Sequence, residues 1–328
     1  MPDRGRVDNP SKDLRAAKQA LVRHWTVALV VVGLVVCGAA AITALLTPLY
    51  QARSTILEEQ LGVSVLGTIP LLDRRLAQHA YMLALDHPNA APVESLRSLR
   101  TALSLAYCKA DGHGEGRGTL VLVTSPGIGE GKSFAAMNLA ALSAGPDKKV
   151  LLVDADLFKR TASTSFGIQE GKDLADILSG PQPLASLVRP TRQPGLFLLP
   201  LRRKVASPQD VIESPHFAAL LEEARAAYDL VVVDSPPVLV VAAASLLAEK
   251  CDVTLVVLRA RITRLGHVHQ LVAALGRARA KATAFVVNAL NAADAEASGY
   301  GYGYGYGYGY GYGYGHGHAK KSDPEQAA

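Results

Sequence analysis

A glycine-rich segment, SPGIGEGKS, carries the residue types that hold nucleotide phosphates in proteins. Gly127, Gly129 and Gly131 let the backbone curl so that its N–H groups face phosphate oxygens. Lys132 adds a positive charge for the β- and γ-phosphates, and Ser133 adds a hydroxyl for Mg²⁺. The pattern predicts a P-loop, although a proline stands where the strict pattern has its first glycine. The alternative is a glycine-rich turn that binds nothing.

Two acidic motifs follow apolar runs further along the chain. LLVDAD contains Asp154 and Asp156, and LVVVDSPP contains Asp234. Because ligands bind at the carboxyl ends of strands in open parallel sheets, we expect these carboxylates to line the nucleotide site. Carboxylates hold Mg²⁺ there, usually through its waters. One Asp after a strand could simply cap the next helix, but three in a chain with a P-loop favour a magnesium–nucleotide site.

These motifs predict three overlapping groups of site residues. The residues with catalytic roles are Lys132, Asp154, Asp156 and Asp234. The metal-binding residues are Ser133, Asp154 and Asp234. The cofactor-binding residues are Gly127, Ile128, Gly129, Glu130, Gly131, Lys132, Ser133, Phe134 and Asn288. Asn288 follows the last apolar run, where it could contact the base or satisfy a turn.

The elements that must position these residues are apolar runs alternating with helical stretches. Continuous Val/Leu strands separated by helices indicate a parallel sheet covered on both faces. The predicted fold class is α/β, a doubly wound, mostly parallel sheet of the P-loop NTPase type. Strands are expected at Leu120–Thr124, Val150–Asp154, Leu196–Leu199, Leu230–Asp234, Val253–Leu258 and Ala284–Asn288. Helices are expected at 94–107, Lys132–Ser143, Pro215–Ala227, Ala242–Glu249 and Arg264–Ala280.

The N-terminal part of the chain predicts a membrane helix. Residues 25–46 form a run of 22 residues without a charge, which at about 1.5 Å per residue crosses the roughly 30 Å of a bilayer core. The alternative is a buried core helix. Residues 1–24 are a basic segment, which the positive-inside rule places in the cytoplasm. Residues 47–90 are predicted to be a connector, and residues 91–290 the nucleotide-binding domain.

Composition excludes several classes of protein. The net charge of +5 is too small to argue for nucleic-acid binding, which needs a concentrated basic patch. Three widely spaced cysteines make neither a disulfide scaffold nor a zinc cluster. From residue 299 to 315 the chain is a strict Gly-Tyr repeat, which cannot build a core. Residues 291–328 are therefore predicted to be a disordered tail.

The ordered set of motifs resembles the bacterial tyrosine kinases of capsule and exopolysaccharide biosynthesis. The P-loop, a D-x-D motif at Asp154 and a D-x-x-P motif at Asp234 occur in the family's order. The similarity covers about residues 91–288 and the tail. One departure is that the family's D-x-D motif is usually followed by Arg, whereas the basic residues here are displaced to Lys159 and Arg160.

The resemblance implies an ATP-dependent tyrosine kinase that phosphorylates itself, with ATP and Mg²⁺ as cofactors. It also implies a ring-shaped homo-oligomer whose interface uses the E-x-x-R-x-x-R motif of Glu94, Arg97 and Arg100. The tail tyrosines are then the phosphorylated residues: Tyr300, Tyr302, Tyr304, Tyr306, Tyr308, Tyr310, Tyr312 and Tyr314. The implied partners are the polysaccharide polymerisation and export machinery, a cognate tyrosine phosphatase and the membrane.

The front of the chain resembles a truncated chain-length-determinant domain. It looks like that domain's first membrane helix joined, between about Leu57 and Leu61, to the segment that follows its second membrane helix. The implied location is the bacterial inner membrane, with a single span and the kinase domain in the cytoplasm. A single span with a cytoplasmic N-terminus would instead put the domain outside, and the sequence does not resolve this conflict.

Three functions are compatible with these features. In an autokinase, Asp156 would orient or deprotonate the tyrosine hydroxyl, while Asp154 and Asp234 would hold the metal. A partitioning-type P-loop ATPase would resemble K-G-G-x-G-K, with a signature lysine where this chain has Gly127, and would lack a tyrosine tail. A non-catalytic membrane adaptor would use the Gly-Tyr tail only as adhesive low-complexity sequence.

Overall fold

The computed structural model describes residues 63–78, 80–108, 117–168, 170–241 and 243–291. The predicted membrane helix, the basic N-terminal segment and the Gly-Tyr tail lie outside these ranges. Within them, every helix is too short or too polar to cross a bilayer.

The centre of the fold is one eight-stranded sheet with the strand order β1-β8-β7-β2-β6-β3-β5-β4. All neighbouring strands are parallel except β4, which is antiparallel to β5. In chain order, β1 to β8 are Val65–Pro70, Thr119–Thr124, Val150–Asp154, Arg189–Pro190, Leu196–Leu199, Leu230–Asp234, Val253–Arg259 and Thr283–Leu290. The predicted α/β class and the six predicted strands are confirmed, with ends that differ by at most two residues.

The central strands are apolar throughout because both of their faces are covered. Alternate residues of a strand point to opposite faces, and in β2 Leu120 and Leu122 pack into one core while Val121 and Val123 pack into the other. Helices on each side complete these cores, so the sheet is doubly wound, as the continuous Val/Leu runs predict. Such a sheet opens its ligand crevice only at the carboxyl ends of its strands.

The α-helices cover the two faces in separate groups. In chain order, α1 to α10 are Arg74–Ala77, Leu83–Asp86, Ala91–Leu103, Lys132–Ser143, Thr161–Ser165, Leu184–Leu187, Pro208–Glu213, Pro215–Ala227, Ala243–Lys250 and Leu265–Arg277. Helices α3 and α4 pack on one face, and α7 to α10 pack on the other. Short 3₁₀ turns occur at Ala80–Met82 and Leu174–Ser179.

Several boundaries differ from the sequence-based expectation; the last helix, for example, ends at Arg277 rather than at Ala280. Helix α3 begins at Ala91 rather than 94, because Pro92 sits in the first turn, where a missing N–H costs nothing. It ends at Leu103 and continues as a π-turn, Ser104–Cys108. Strand β1 lies inside the stretch assigned to a connector, yet it pairs with β8 and so belongs to the domain.

The strand order brings the predicted motifs together. Strand β6 lies between β2 and β3, and Asp154 and Asp234 are directly opposed at the carboxyl ends of β3 and β6. The glycine-rich segment follows β2 at the same edge and leads into α4. The motif residues therefore meet in one crevice although Gly127 and Asp234 are more than 100 residues apart along the chain.

Candidate functional site

The glycine-rich loop has the left-handed backbone that its glycines permit. Gly129 and Gly131 have φ values of 80° and 102°. Gly131 is the residue that precedes α4, whose first residues are Lys132 and Ser133. A Cβ on Gly131 would lie 2.0 Å from Nδ2 of Asn288. Glycine is thus required here both by the backbone conformation and by the neighbouring side chain.

The loop is held in shape by its own buried carboxylate. Glu130 is 3% exposed. Its Oε2 accepts a hydrogen bond of 2.9 Å from the backbone N–H of Gly127. Its Oε1 accepts one of 2.6 Å from the hydroxyl of Thr263, which lies between β7 and α10. A carboxylate that bridges two parts of the loop region fixes the path of the backbone before any phosphate binds.

Two further side chains reach the loop from the neighbouring strands β7 and β8. Arg259 donates a hydrogen bond of 2.8 Å to the carbonyl of Gly129. Asn288 donates one of 2.9 Å to the carbonyl of Glu130 and accepts one from Ala289 N–H. Asn288 is therefore engaged in supporting the loop. Sequence reasoning did not identify Arg259 or Thr263, because neither belongs to a motif.

One lysine joins two of the three predicted carboxylates. Lys132 Nζ forms an ion pair with Asp156 and lies 3.9 Å from Oδ1 of Asp234 and 3.3 Å from the hydroxyl of Ser133. All four side chains are buried. The predicted catalytic residues thus converge on a single centre.

The two strand-end carboxylates have oxygens without hydrogen-bond partners. Oδ2 of Asp154 accepts bonds from Ser163, 2.7 Å from its N–H and 2.6 Å from its hydroxyl. Oδ1 of Asp154 and both oxygens of Asp234 accept no hydrogen bond of ordinary geometry. Such buried acceptors are costly unless a cation or water completes them. Ser163, which orients Asp154, was also missed by sequence reasoning.

Burial shifts the pKa values of these groups. It raises the pKa of Asp154 to about 7, with the nearby charge of Asp234 adding to the effect and the bonds from Ser163 opposing it. It raises the pKa of Asp234 to about 6, against the attraction of Lys132. Burial alone would lower the pKa of Lys132, but the carboxylates, led by Asp234, outweigh it and the pKa is raised.

The donor set fits a magnesium–nucleotide complex. Mg²⁺ is usually held by one or two carboxylates together with substrate phosphates and waters. Asp154 and Asp234 supply oxygens that lack a hydrogen-bond partner, and Ser133 supplies a hydroxyl at the start of α4. No cluster of three or more His, Cys, Asp or Glu residues able to hold a metal alone occurs in the described part of the chain. A metal here would need the phosphates as ligands.

The remaining predicted residues do not belong to this centre. Ile128 is exposed on the loop, and Phe134 is buried in α4. The predicted interface residues are on α3: Arg97 bonds Glu94 at 3.0 Å, and Arg100 bonds the carbonyl of Leu142 at 2.8 Å. The eight tail tyrosines lie outside the described residues.

Fold and site together define a P-loop nucleotide-binding α/β domain. Residues 121–287 match the family model described as AAA domain. The putative tyrosine-protein kinase EpsB of Ralstonia nicotianae is 36% identical over 244 residues, which are 72% of this chain and 32% of that protein. The tyrosine-protein kinase wzc of Salmonella typhi is 30% identical over 223 residues, which are 64% of this chain and 30% of that protein.

Two solved kinase domains have the same fold. The kinase domain of the Escherichia coli tyrosine kinase ETK superposes with a TM-score of 0.64 at 27% identity, covering 71% of this chain and 93% of that domain. The BceF tyrosine kinase domain gives 0.62 at 28% identity, covering 72% and 97%. The chain belongs to the family of bacterial tyrosine kinases of capsule and exopolysaccharide biosynthesis. It spans about a third of the length of its curated relatives.

The raised pKa values predict a pH dependence of stability. Asp154 has a folded pKa of about 7 against an ordinary value of 3.8, so the folded state keeps a proton that the unfolded state releases. The nucleotide-free protein should lose this contribution to stability as the pH rises from about 4 to about 7. In Asp154→Asn the pH slope should be smaller, with only the part due to the raised pKa of Asp234 remaining, and in the parent MgADP should offset the loss. Urea unfolding at pH 5 and pH 8, with and without MgADP, tests this. Equal pH slopes for parent and variant would contradict it.

Because Thr263 supports the glycine-rich loop, removing its hydroxyl should weaken nucleotide binding. Thr263→Val removes a donor to the buried Glu130 carboxylate, and the affinity for MgADP should fall about tenfold because a bond to a charged group is lost. Amide hydrogen exchange of residues 125–134 should become faster. Thr263→Ser keeps the hydroxyl and is the matched control. The role of Thr263 would be refuted if the Val variant bound nucleotide as the Ser variant does.

Proposed function

We propose that this chain is an ATP-dependent protein tyrosine kinase that phosphorylates the tyrosines of its own C-terminal tail in trans. The observation that supports this most is the buried centre in which Lys132 is shared by Asp156 and Asp234 at the end of the P-loop. Phosphoryl transfer needs positioning and charge stabilisation rather than covalent chemistry by the protein. This centre supplies a cation for phosphates and a carboxylate for the incoming hydroxyl.

Lys132 and Asp156 would act together in the transfer. When a nucleotide binds, the Lys132 ammonium turns from Asp156 to the phosphate oxygens, which releases the Asp156 carboxylate. Asp156 then orients the tyrosine hydroxyl and accepts its proton. A bond forms between the phenol oxygen and the γ-phosphorus, the bond to the β–γ bridging oxygen breaks, and ADP leaves with that electron pair.

Asp154, Asp234 and Ser133 would hold Mg²⁺, which when bound draws charge from the phosphate oxygens. Their fixed positions support this role. Ser163 locks one oxygen of Asp154 with two hydrogen bonds and leaves the other without a partner. The metal then meets preorganised ligands, so little reorganisation is required when the phosphates arrive.

The proposed substrate is the Gly-Tyr repeat of residues 299–315. Its glycines have no side chains that could collide with the walls of the crevice. Each tyrosine can therefore enter the crevice without steric hindrance from its neighbours in the chain. The eight sites are Tyr300, Tyr302, Tyr304, Tyr306, Tyr308, Tyr310, Tyr312 and Tyr314.

Mass-spectrometric mapping of phosphotyrosine after incubation of the full chain with ATP and Mg²⁺ tests this proposal. Lys132→Met should lower tail phosphorylation by about 100-fold or more, because the phosphates lose their preorganised cation. The matched control is Lys148→Met, which changes an exposed lysine next to the amino end of β3. Equal phosphorylation in a well-folded Lys132→Met chain would refute the kinase assignment, and ATP hydrolysis without phosphotyrosine would favour an ATPase.

Transfer between chains needs a second arrangement of the same experiment. The Lys132→Met chain with an intact tail is mixed with a chain that keeps Lys132 but has all eight tail tyrosines changed to Phe. Phosphotyrosine on the tail of the Lys132→Met chain can then arise only from transfer between two molecules. Its absence, while the unmodified chain phosphorylates itself, would restrict the reaction to a single molecule.

We further propose that the chain acts as a ring-shaped homo-oligomer at the bacterial inner membrane, with the kinase domain in the cytoplasm. There it would regulate the polysaccharide polymerisation and export machinery. A cognate tyrosine phosphatase would remove the phosphates from its tail. The uncharged run of residues 25–46 supports the membrane location, and one relative is named a putative tyrosine-protein kinase in a cps region. Glu94, Arg97 and Arg100 are the proposed interface residues.

The interface proposal predicts a change in assembly. Arg97→Ala with Arg100→Ala should lower the oligomer mass and slow phosphorylation, because the side chains proposed to pair with a neighbouring copy are lost. Arg74→Ala with Arg75→Ala removes two exposed arginines from α1 and serves as the control. Light scattering of the full chain measures the mass, and circular dichroism checks that α3 persists. An unchanged mass would rule out this interface.

A further inference from the structure

A group of basic residues lies on two loops that contact each other beside the catalytic centre. The loop after β3 and the loop after β5 are joined by a hydrogen bond of 2.7 Å from Arg160 to the carbonyl of Arg202. A second bond, 2.8 Å long, links Leu201 N–H to the hydroxyl of Ser163. We call the five basic residues on these loops the basic cluster: Lys159, Arg160, Arg202, Arg203 and Lys204.

The basic cluster begins within one turn of the proposed catalytic carboxylate. Lys159 N–H donates a hydrogen bond of 3.2 Å to Oδ1 of Asp156, and Arg160 N–H donates one of 3.0 Å to the carbonyl of Asp156. Arg160 has a φ of 54°, a left-handed conformation that is rare outside glycine and concentrates at functional sites. Its Nε is buried without a hydrogen-bond partner. The loop is thus shaped to hold positive charge at the edge of the crevice.

On five loops that flank the crevice, the exposed charges of the described residues are all positive. Five loops form the carboxyl edge on its nucleotide side: residues 125–131, 155–160, 200–207, 235–242 and 260–264. Where the structure describes them, their only carboxylates, Glu130 and Asp156, are buried. Lys159, Arg203 and Lys204 are exposed. Arg203 pairs with Asp176 at 2.6 Å and with Asp173 at 3.7 Å, so the exposed cations of the basic cluster that an anion meets at the crevice are chiefly Lys159 and Lys204.

The cluster also offers an apolar contact. Phe158, next to Lys159, is 54% exposed, which is unusual for a phenylalanine. A ligand that combines an aromatic ring with a dianion would use both features. Phosphotyrosine has this chemistry: its phosphate carries a charge of about −1.5 to −2 near pH 7, and its acceptor oxygens match lysine and arginine donors.

The chain's own tail can supply such a ligand at this edge. Strand β8 ends at Leu290, at the carboxyl edge of the sheet, and the Gly-Tyr repeat starts nine residues later. In an extended strand, residues two apart share a face and are about 7 Å apart. A bound Gly-Tyr repeat would therefore present every tyrosine on one side. When one tyrosine lies at Asp156, the next lies about 7 Å along the strand, and the basic cluster begins three residues after Asp156 in the chain.

We propose that the basic cluster is a phosphotyrosine-binding subsite that holds an already phosphorylated tail tyrosine while the neighbouring tyrosine occupies the catalytic centre. This inference rests on the proposed function, because it assigns a place to the product of that reaction. By binding the first phosphotyrosine, the subsite holds the tail in place while a second phosphoryl group is transferred. Phosphates then accumulate on tails that already carry one, rather than being spread singly over many tails.

Peptide binding without ATP tests the subsite independently of kinase activity. The protein is the full chain with all eight tail tyrosines changed to Phe, so that its own tail carries no acceptor hydroxyl. The probes are synthetic Gly-Tyr peptides with the sequence of residues 299–315, one unphosphorylated and one phosphorylated on a central tyrosine. Isothermal titration calorimetry should show at least about tenfold tighter binding of the phosphopeptide, because charge-assisted hydrogen bonds are added.

Two variants with the same change of charge locate the binding. Lys159→Gln with Lys204→Gln should lower phosphopeptide affinity about tenfold, because two charge-assisted contacts are lost. Lys148→Gln with Lys149→Gln removes two exposed lysines at the amino end of β3, the opposite end of the strand that leads to Lys159. This control should bind as the parent does. Equal losses in both variants would mean unspecific attraction and would overturn the subsite.

Two further results would also overturn the proposal. One is equal affinity for the phosphorylated and unphosphorylated peptides. The other is displacement of the phosphopeptide by a competitor. Displacement by saturating MgADP would mean that the peptide's phosphate occupies the P-loop. Displacement by millimolar inorganic phosphate would mean that the tyrosine ring adds nothing to the binding. Retention of the phosphopeptide with nucleotide bound supports a separate subsite.

The order of phosphorylation gives a second, kinetic readout. In the unmodified chain, mass spectra early in the reaction should show multiply phosphorylated tails beside unmodified ones. Lys159→Gln with Lys204→Gln should instead give mainly singly phosphorylated tails at equal total phosphate. A complete lack of phosphotyrosine in all chains would refute the proposed function but leave the peptide result standing. An unchanged distribution in an active double variant would refute the subsite.

Discussion

The site depends on the placement of three carboxylates in a dry interior around one ammonium group. Parallel strands end side by side, so Asp154 and Asp234 are forced into direct opposition, and Lys132 is the cation that the fold brings within 4 Å of Asp156 and Asp234. Charges buried in this way are tolerated only when they are paired or neutralised. The proposed magnesium–nucleotide complex would relieve the electrostatic tension among these groups, so that nucleotide binding and folding stability would be coupled at this point.

The glycine-rich loop depends in turn on side chains whose hydrogen bonds go to the loop itself. Glu130, Thr263, Arg259 and Asn288 tie it to the β7–β8 side of the sheet. The β7–β8 side of the crevice thus supports the loop. The carboxylates and the basic cluster form the opposite side. The crevice therefore has the hydrogen-bonded glycine-rich loop on one side and the basic cluster on the other.

The sequence predicts the fold and the centre of the site well because both are encoded by local pattern. The Val/Leu runs specify buried parallel strands, and the Asp residues at their ends needed only the strand order to meet. The supporting residues could not be predicted in the same way. Thr263 is over 130 residues from Glu130, and Ser163 and Arg259 have ordinary sequence surroundings. Asn288 is the exception, because its position after the last apolar run predicts it at the site. Strand β1 was missed because an edge strand with Gly and Pro lacks the strong apolar pattern.

Strand β1 has a mechanical consequence. It runs parallel to β8, so the chain enters the sheet at the edge where the strands begin, while the crevice and the exit of β8 lie at the edge where they end. An anchor upstream of Val63, as proposed for residues 25–46, would join the domain at the edge opposite the crevice. The anchor itself would then not cover the crevice, and neighbouring molecules on the same membrane could reach it with their tails.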